Sequence, residues 1–243
     1  MSGPATDPAA GALSVHPVAG VPEVRPGDVL AELLVATGFP FVTGDVVVVT
    51  QKVVSKAEGR LVALDPADPA AARRRLVEEE SVRVLRRRGD RIISETRHGF
   101  VCASAGIDLS NVDDGWAALL PVDADRSARR IRDGLRARGR VEVGVVVSDT
   151  FGRPWRKGLT DVAIGCAGVA AVVDLRGTTD RAGRVLSVTQ VAVADELAGA
   201  AELVMGKATG VAAAVVRGVD PTWLREGSVQ DEIVRHHEDD LFR

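Results

Sequence analysis

Residues 44–51 read GDVVVVTQ, and residues 141–150 read VEVGVVVSDT. The first follows a Gly-Asp turn with a β-branched run, and the second repeats that design. Each predicts a buried strand that stops at polar side chains. In α/β proteins the ends of such strands are where ligand contacts commonly gather. The two runs therefore point to a mixed α/β fold and mark a position for function without naming its chemistry.

Helical patterns lie around and between the runs. Residues 69–88, rich in Arg and Glu, and residues 123–137, with Ala128, Ile131 and Leu135 on one face, predict two surface helices. Residues 191–205 space Val193, Leu197, Ala200, Ala201 and Val204 as a helix, with Gly206 as its stop. A further strand at 211–216 and a polar helix at 228–236 complete the reading. No internal repeat or Gly/Ser linker divides the chain. Residues 13–243 are thus expected to form one domain behind a loose tail, residues 1–12.

Composition narrows the function classes. With 31 Lys and Arg against 34 Asp and Glu, the net charge of −3 supplies no field to hold nucleic acid or an anionic membrane. Aromatic residues are 3% and Tyr is absent, so base-stacking platforms are scarce as well. The longest apolar run, residues 162–173, is broken by glycines and falls short of the roughly 20 residues of a spanning helix. Cys102 and Cys166 are too few for a disulfide framework or a cysteine metal cage, and Cys166 reads as a small core residue, so a reducing cytoplasm fits.

Three segments carry residues suited to chemistry. Residues 102–115 (CASAGIDLSNVDDG) hold Asp108, Ser110, Asn111, Asp113 and Asp114, which suit a hard cation such as magnesium or manganese, although taken alone the segment reads more simply as a turn bonding its own backbone. Residues 148–158 (SDTFGRPWRKG) place Asp149 and Thr150 at a strand end ahead of Arg153, Arg156 and Lys157. Metal plus cations suits phosphoryl transfer, where negative charge spreads over the outer oxygens; a basic surface turn would look the same. In residues 50–60 (TQKVVSKAEGR), Lys52 and Lys56 lie four apart and present an ammonium to a phosphate, or form a solvated Lys/Glu face. P-loop and GxGxxG fingerprints are absent, as is a nucleophile elbow.

Taken in order, HPVAGVPEVRPGDVL, GDVVVVTQKVVSKAEGR, ETRHGFVCASAGIDLSNVD, VVVSDTFGRPWRKGLTDVAIGCAG and VADELAGAAELVMGKATG resemble the coenzyme F-420:L-glutamate ligase family over nearly the whole chain after the tail. The C-terminal HHEDDLFR is similar to the point where two-domain actinobacterial relatives pass into a reductase domain, which this chain is expected to lack. The resemblance implies an α/β fold with mixed, bent sheets, neither Rossmann nor P-loop, assembled as a homodimer. It implies a GTP-dependent ligase that phosphorylates the terminal carboxylate of F-420-0 and couples it to L-glutamate, with further γ-linked glutamates. By position it implies Asp108, Asp149 and Thr150 as ligands of Mn2+ or Mg2+, with a monovalent cation as a further cofactor. Ala19, Gly20, Val21, Pro22, Gln51, Lys56, Asn111, Met205 and Gly206 become nucleotide contacts. The segment after the Met-Gly pair helps hold a second metal in relatives; here it carries Lys207, whose ammonium cannot coordinate a cation. Arg153 and Arg156 suit the acidic tail of the substrate. The competing readings are another acyl-phosphate amide ligase acting on a related phosphorylated acid, and a nucleotide-binding module without turnover.

Overall fold

A computed structural model describes residues 12–241 of the chain. Its elements run β1 Ser14–Val18, α1 Leu30–Ala36, β2 Val46–Thr50, α2 Gln51–Ala57, β3 Leu61–Ala63, α3 Pro69–Glu79, β4 Ser81–Arg88, β5 Arg91–Thr96, β6 Val101–Ala103 and β7 Trp116–Ala118. They continue α4 Ala124–Gly139, β8 Gly144–Arg153, β9 Arg156–Ala167, β10 Val173–Asp174, β11 Gln190–Val191, α5 Val193–Met205, β12 Ala213–Arg217 and α6 Val229–Glu232. The expected N-terminal tail lies, apart from Ala12, outside the described residues.

The two valine runs form the centre of a five-stranded sheet of order β1-β12-β2-β8-β9. Successive side chains of a strand point to opposite faces. Val47, Val49, Val145 and Val147 therefore pack against Leu30, Ala31 and Leu34 of α1 and Ala128, Ile131 and Leu135 of α4. Val46, Val48 and Val146 face the other way, onto Ala194, Leu197, Ala198, Ala201 and Met205 of α5. Helices on both faces explain why neither run alternates with polar residues. Each valine withdrawn from water contributes about 1.5–3 kcal/mol.

Only β2 and β8 pair in parallel in this sheet; β1 with β12, β12 with β2, and β8 with β9 are antiparallel. A two-stranded pair β3–β7, a two-stranded pair β10–β11 and a three-stranded sheet β4-β5-β6 stand apart from it. The architecture is the mixed α/β type expected, and its strand order is not that of a doubly wound parallel sheet.

Four expectations need correction, the first being that the second valine strand does not stop at Thr150 but runs on as β8 to Arg153, paired there with β9. The helix expected over residues 69–88 ends at Glu79, and residues 81–88 form β4. Val82 and Val84 favour a strand, and Gly89, at φ 58°, supplies the turn into β5 that satisfies the backbone of β4. The helix expected at 228–236 is a single turn, α6, capped by Ser228, whose hydroxyl accepts from the Asp231 N–H. Gln51 does not end the first valine strand but opens α2.

A buried carboxylate pins the distant parts together. Asp125 of α4 accepts from the Cys166 N–H of β9 at 2.7 Å, the Val229 and Gln230 N–H groups at 2.9 and 3.1 Å, and the Ser228 hydroxyl at 2.8 Å. Gly165 makes this junction possible: a Cβ there would lie 2.2 Å from the Ala124 carbonyl carbon.

Candidate functional site

Strand register fixes where the candidate residues meet. Thr50 pairs with Ser148 across the parallel β2–β8 ladder, Val49 with Ala213 of β12, and Ala213 with Val18 of β1. Hence the loop holding Ala19, Gly20, Val21 and Pro22, the start of α2 at Gln51 and the segment between α5 and β12 leave the sheet at the level where Asp149 and Thr150 stand within β8. This is the carboxyl end of the parallel β2–β8 pairing, as expected for a ligand site.

Asp149 sits beside a register shift between Val147 and Ser148, a bulge that re-aims the side chains after it. Part of its surface is open, yet enough protein surrounds the carboxyl group that burial pushes its pKa up to about 7. The Thr150 N–H, donating to its Oδ1 at 2.8 Å, works against that rise; the negative charges of Asp108 and Asp161 add to it, and Lys52 opposes it. A carboxylate held among carboxylates is one that a cation would relieve.

Asp108 reaches this centre from an isolated bridge to Ala118, which fixes its backbone. Its Oδ2 lies 2.9 Å from the Lys52 Nζ, and its Oδ1 accepts from the Ser110 N–H at 2.7 Å. Burial works to raise the pKa of Asp108, but Lys52 and Ser110 outweigh it and hold the group below its ordinary value. Lys52 also donates to the Ser110 hydroxyl at 2.7 Å. Of the two lysines of α2 it is Lys52 that meets the acidic centre, while Lys56 pairs with Glu23 just beyond the Ala19–Pro22 loop.

A second group of charges adjoins the first. Asp161, buried on β9, accepts from the Ser148 hydroxyl at 3.0 Å and from the Thr150 hydroxyl at 2.6 Å. Lys207 donates to the Thr150 hydroxyl and to Asp161 at 3.0 Å, and lies 3.3 Å from Glu202. Burial disfavours its charge, yet Asp161 and Glu202 overcome that and raise its pKa.

The remaining candidates are distributed unevenly. Gln51 is buried, and its amide donates to the Ser55 hydroxyl and the Leu119 carbonyl, so that side chain braces α2. Asn111 is exposed in the Asp108 loop at φ 52°. Met205 is buried in the core beneath α5, and Gly206 ends the helix at φ 58°. Arg153 and Arg156 face each other across the exposed β8–β9 hairpin, four or more residues beyond Asp149 and so about 13 Å or more along the strand. Both cysteines are buried, and burial pushes the Cys102 thiol up to about 12 and that of Cys166 higher, which leaves neither as a thiolate nucleophile.

Sequence reasoning passed over Asp161 and left Lys52 undecided. Asp161 is signalled by its place opposite Thr150, which appears only once the β8–β9 register is known. Lys52 and Lys56, four residues apart, share one face of α2, so the spacing gave the two equal weight.

Two carboxylates, one from the Asp108 loop and one from β8, suit a magnesium- or manganese-sized ion, which commonly takes one or two protein carboxylates and completes its shell with water and phosphate. Among the described residues no group of three or more His, Cys, Asp or Glu forms a closed metal cage. No helix among them is long and apolar enough to cross a membrane.

The fold and this centre define a mixed α/β protein whose strand ends carry an acidic site balanced by lysines. The family description F420-0:Gamma-glutamyl ligase matches residues 20–218, and the chain belongs to that family of ligases. It is 42% identical over 95% of its length to the coenzyme F420:L-glutamate ligase of Methanothermobacter thermautotrophicus, covering 99% of that protein. It is 44% identical, over 95% of its length and 98% of the relative, to the enzyme of the same name from Methanopyrus kandleri. The Archaeoglobus fulgidus protein of that name is 38% identical over 95% of this chain and 96% of its own length.

Proposed function

We propose that this chain adds L-glutamate to F-420-0 with GTP as phosphoryl donor, and extends the product through further γ-linked glutamates. The observation that carries the reading is the convergence of Asp108, Asp149 and Lys52 at the carboxyl end of β2 and β8, in a chain of this family. A free carboxylate is a poor electrophile because its oxygen is a poor leaving group. Transfer of the γ-phosphoryl group forms a P–O bond to the substrate carboxylate and releases GDP. The amine of glutamate then attacks the carbonyl carbon, the C–N bond forms, the C–O bond to phosphate breaks, and the amine loses a proton.

Asp108 and Asp149 would hold the Mn2+ or Mg2+ ion, with Thr150 adjacent; the ion, when bound, offsets the charge of the phosphates and polarises the transferred group. Lys52, fixed by Asp108 and Ser110, supplies a positive charge at the same place. The Ala19–Pro22 loop, Lys56 and Asn111, with the backbone at Gln51, Met205 and Gly206, supply the nucleotide contacts. The monovalent cation would assist at the same phosphates. Arg153 and Arg156 meet acidic groups of the substrate away from the reacting carboxylate. A homodimer in the cytoplasm is the setting proposed for this activity.

The test is product mass. Protein incubated with F-420-0, L-glutamate, GTP and Mn2+ should yield a product heavier by one or more glutamyl units, with GDP released in step. GTP binding without GDP formation would instead identify a nucleotide-binding module, and product formed only from another phosphorylated acid would identify a different ligase. Alanine at Arg153 and Arg156 should raise KM for F-420-0 or glutamate; unchanged values for both would remove the two arginines from the substrate site.

A further inference from the structure

We infer that Lys207 is the resident cation of the nest formed by Thr150, Asp161 and Glu202, so that the centre takes a single divalent ion, at Asp108 and Asp149, and Thr150 is not a metal ligand. An ammonium has three protons to donate, and here three acceptors surround it: the Thr150 hydroxyl, Asp161 at 3.0 Å and Glu202 at 3.3 Å. The Thr150 hydroxyl gives its own proton to Asp161, so the lone pairs left to it face Lys207. Asp161 is 4% exposed, and its two oxygens accept from the Ser148 and Thr150 hydroxyls. A buried carboxylate in such a place requires a compensating positive charge, and Lys207 provides it.

The oxygens it holds, one hydroxyl and two carboxylates, are of the kind that hard cations choose. While the ammonium occupies them, a metal ion would meet a fixed positive charge at bonding distance from the same atoms, whereas beside Lys52 and Asp108 the Asp149 carboxylate bonds, among the described residues, only the Thr150 N–H, through one oxygen. The backbone favours the lysine's position as well, because Gly206 ends α5 at φ 58° and turns the next residue toward β8 and β9. A built-in lysine thus supplies beside the phosphate site the charge that an additional ion would otherwise bring.

The inference rests on reading this centre as a metal–phosphate site, and counting bound metal separates the two. Mn2+ alone is titrated into the purified chain and the free ion is followed by electron paramagnetic resonance. The wild type should bind one ion per chain and Asp149→Asn none. Lys207→Gln should bind one ion more than the wild type, and so should Lys207→Met, which brings no ligand oxygen of its own. Asp161→Asn placed in the Lys207→Gln background should abolish the added site. Equal counts for the wild type and both Lys207 variants, with thermal unfolding showing an intact fold, would overturn the inference. So would two ions per chain in the wild type, whatever the variants do. A wild type that binds none, with Lys207→Gln binding one, would keep the lysine's role and remove the metal from Asp108 and Asp149.

Discussion

In the metal-free protein, Asp149→Asn should be stabilising at about pH 8 and close to neutral at about pH 4, the pH dependence arising from the burial of one carboxyl group. The pKa of Asp149 stands at about 7 in the folded chain against an ordinary 3.8. A raised acid keeps its proton in the folded state over the window between those values, where the unfolded chain has released it. Stability therefore falls as pH rises through that window and levels off above about pH 7. At about 1.4 kcal/mol per pH unit the full window sets an upper bound of about 4 kcal/mol, and the open part of the side chain reduces the expected effect to about 2 kcal/mol. Asparagine retains an Oδ1 for the Thr150 N–H, so the substitution removes the charge and little else. Urea denaturation of both proteins in chelator, from about pH 4 to about pH 8, measures the difference directly. It should move in favour of the variant by about 2 kcal/mol across the range. A difference that stays constant with pH would refute the account of Asp149. Saturating Mn2+ should then reverse the order, since an ion at a hundred times its dissociation constant adds about 2.7 kcal/mol to the protein that binds it.

Three further substitutions probe other parts of the argument. Asp125→Ala removes the acceptor of four donors at the junction of α4, β9 and α6, and should cost about 3–5 kcal/mol in urea denaturation; a loss under about 1 kcal/mol would mean that the junction relaxes. Gly165→Ala drives a methyl group into the Ala124 backbone and should cost at least about 3 kcal/mol or leave the protein insoluble, whereas wild-type solubility and melting temperature would contradict the close approach. Lys52→Met should lower kcat about 10²- to 10³-fold with a smaller change in KM for GTP, and a variant with full turnover would exclude Lys52 from the phosphate site.

How far the sequence reaches depends on the range of the interaction involved. The valine runs specify buried strands because their apolar character is local, and the spacing over residues 123–137 and 191–205 specifies helices for the same reason. The ordered motifs, read together, were enough to suggest the family that residues 20–218 confirm. The reading fails at 81–88, where arginines with good helix propensity sit in a strand because β5 pairs with them, a decision made by a neighbour and not by the segment.

At the site, local chemistry pointed to Asp108, Asp149 and Thr150 as residue types suited to a cation. It gave no means of choosing Lys52 over Lys56, since the two share a face of α2 and the choice depends on which turn of it meets the Asp108 loop. Asp161 and Lys207 stand 11 and 57 residues from Thr150 and join it only because β9 folds back on β8 and α5 ends beside them. The sequence by itself determined the α/β class of the fold, its two central valine strands and the kind of chemistry the residues beside them suit. The tertiary structure decided which charges compensate which, because in a buried centre the state of each carboxylate depends on neighbours brought in from distant parts of the chain.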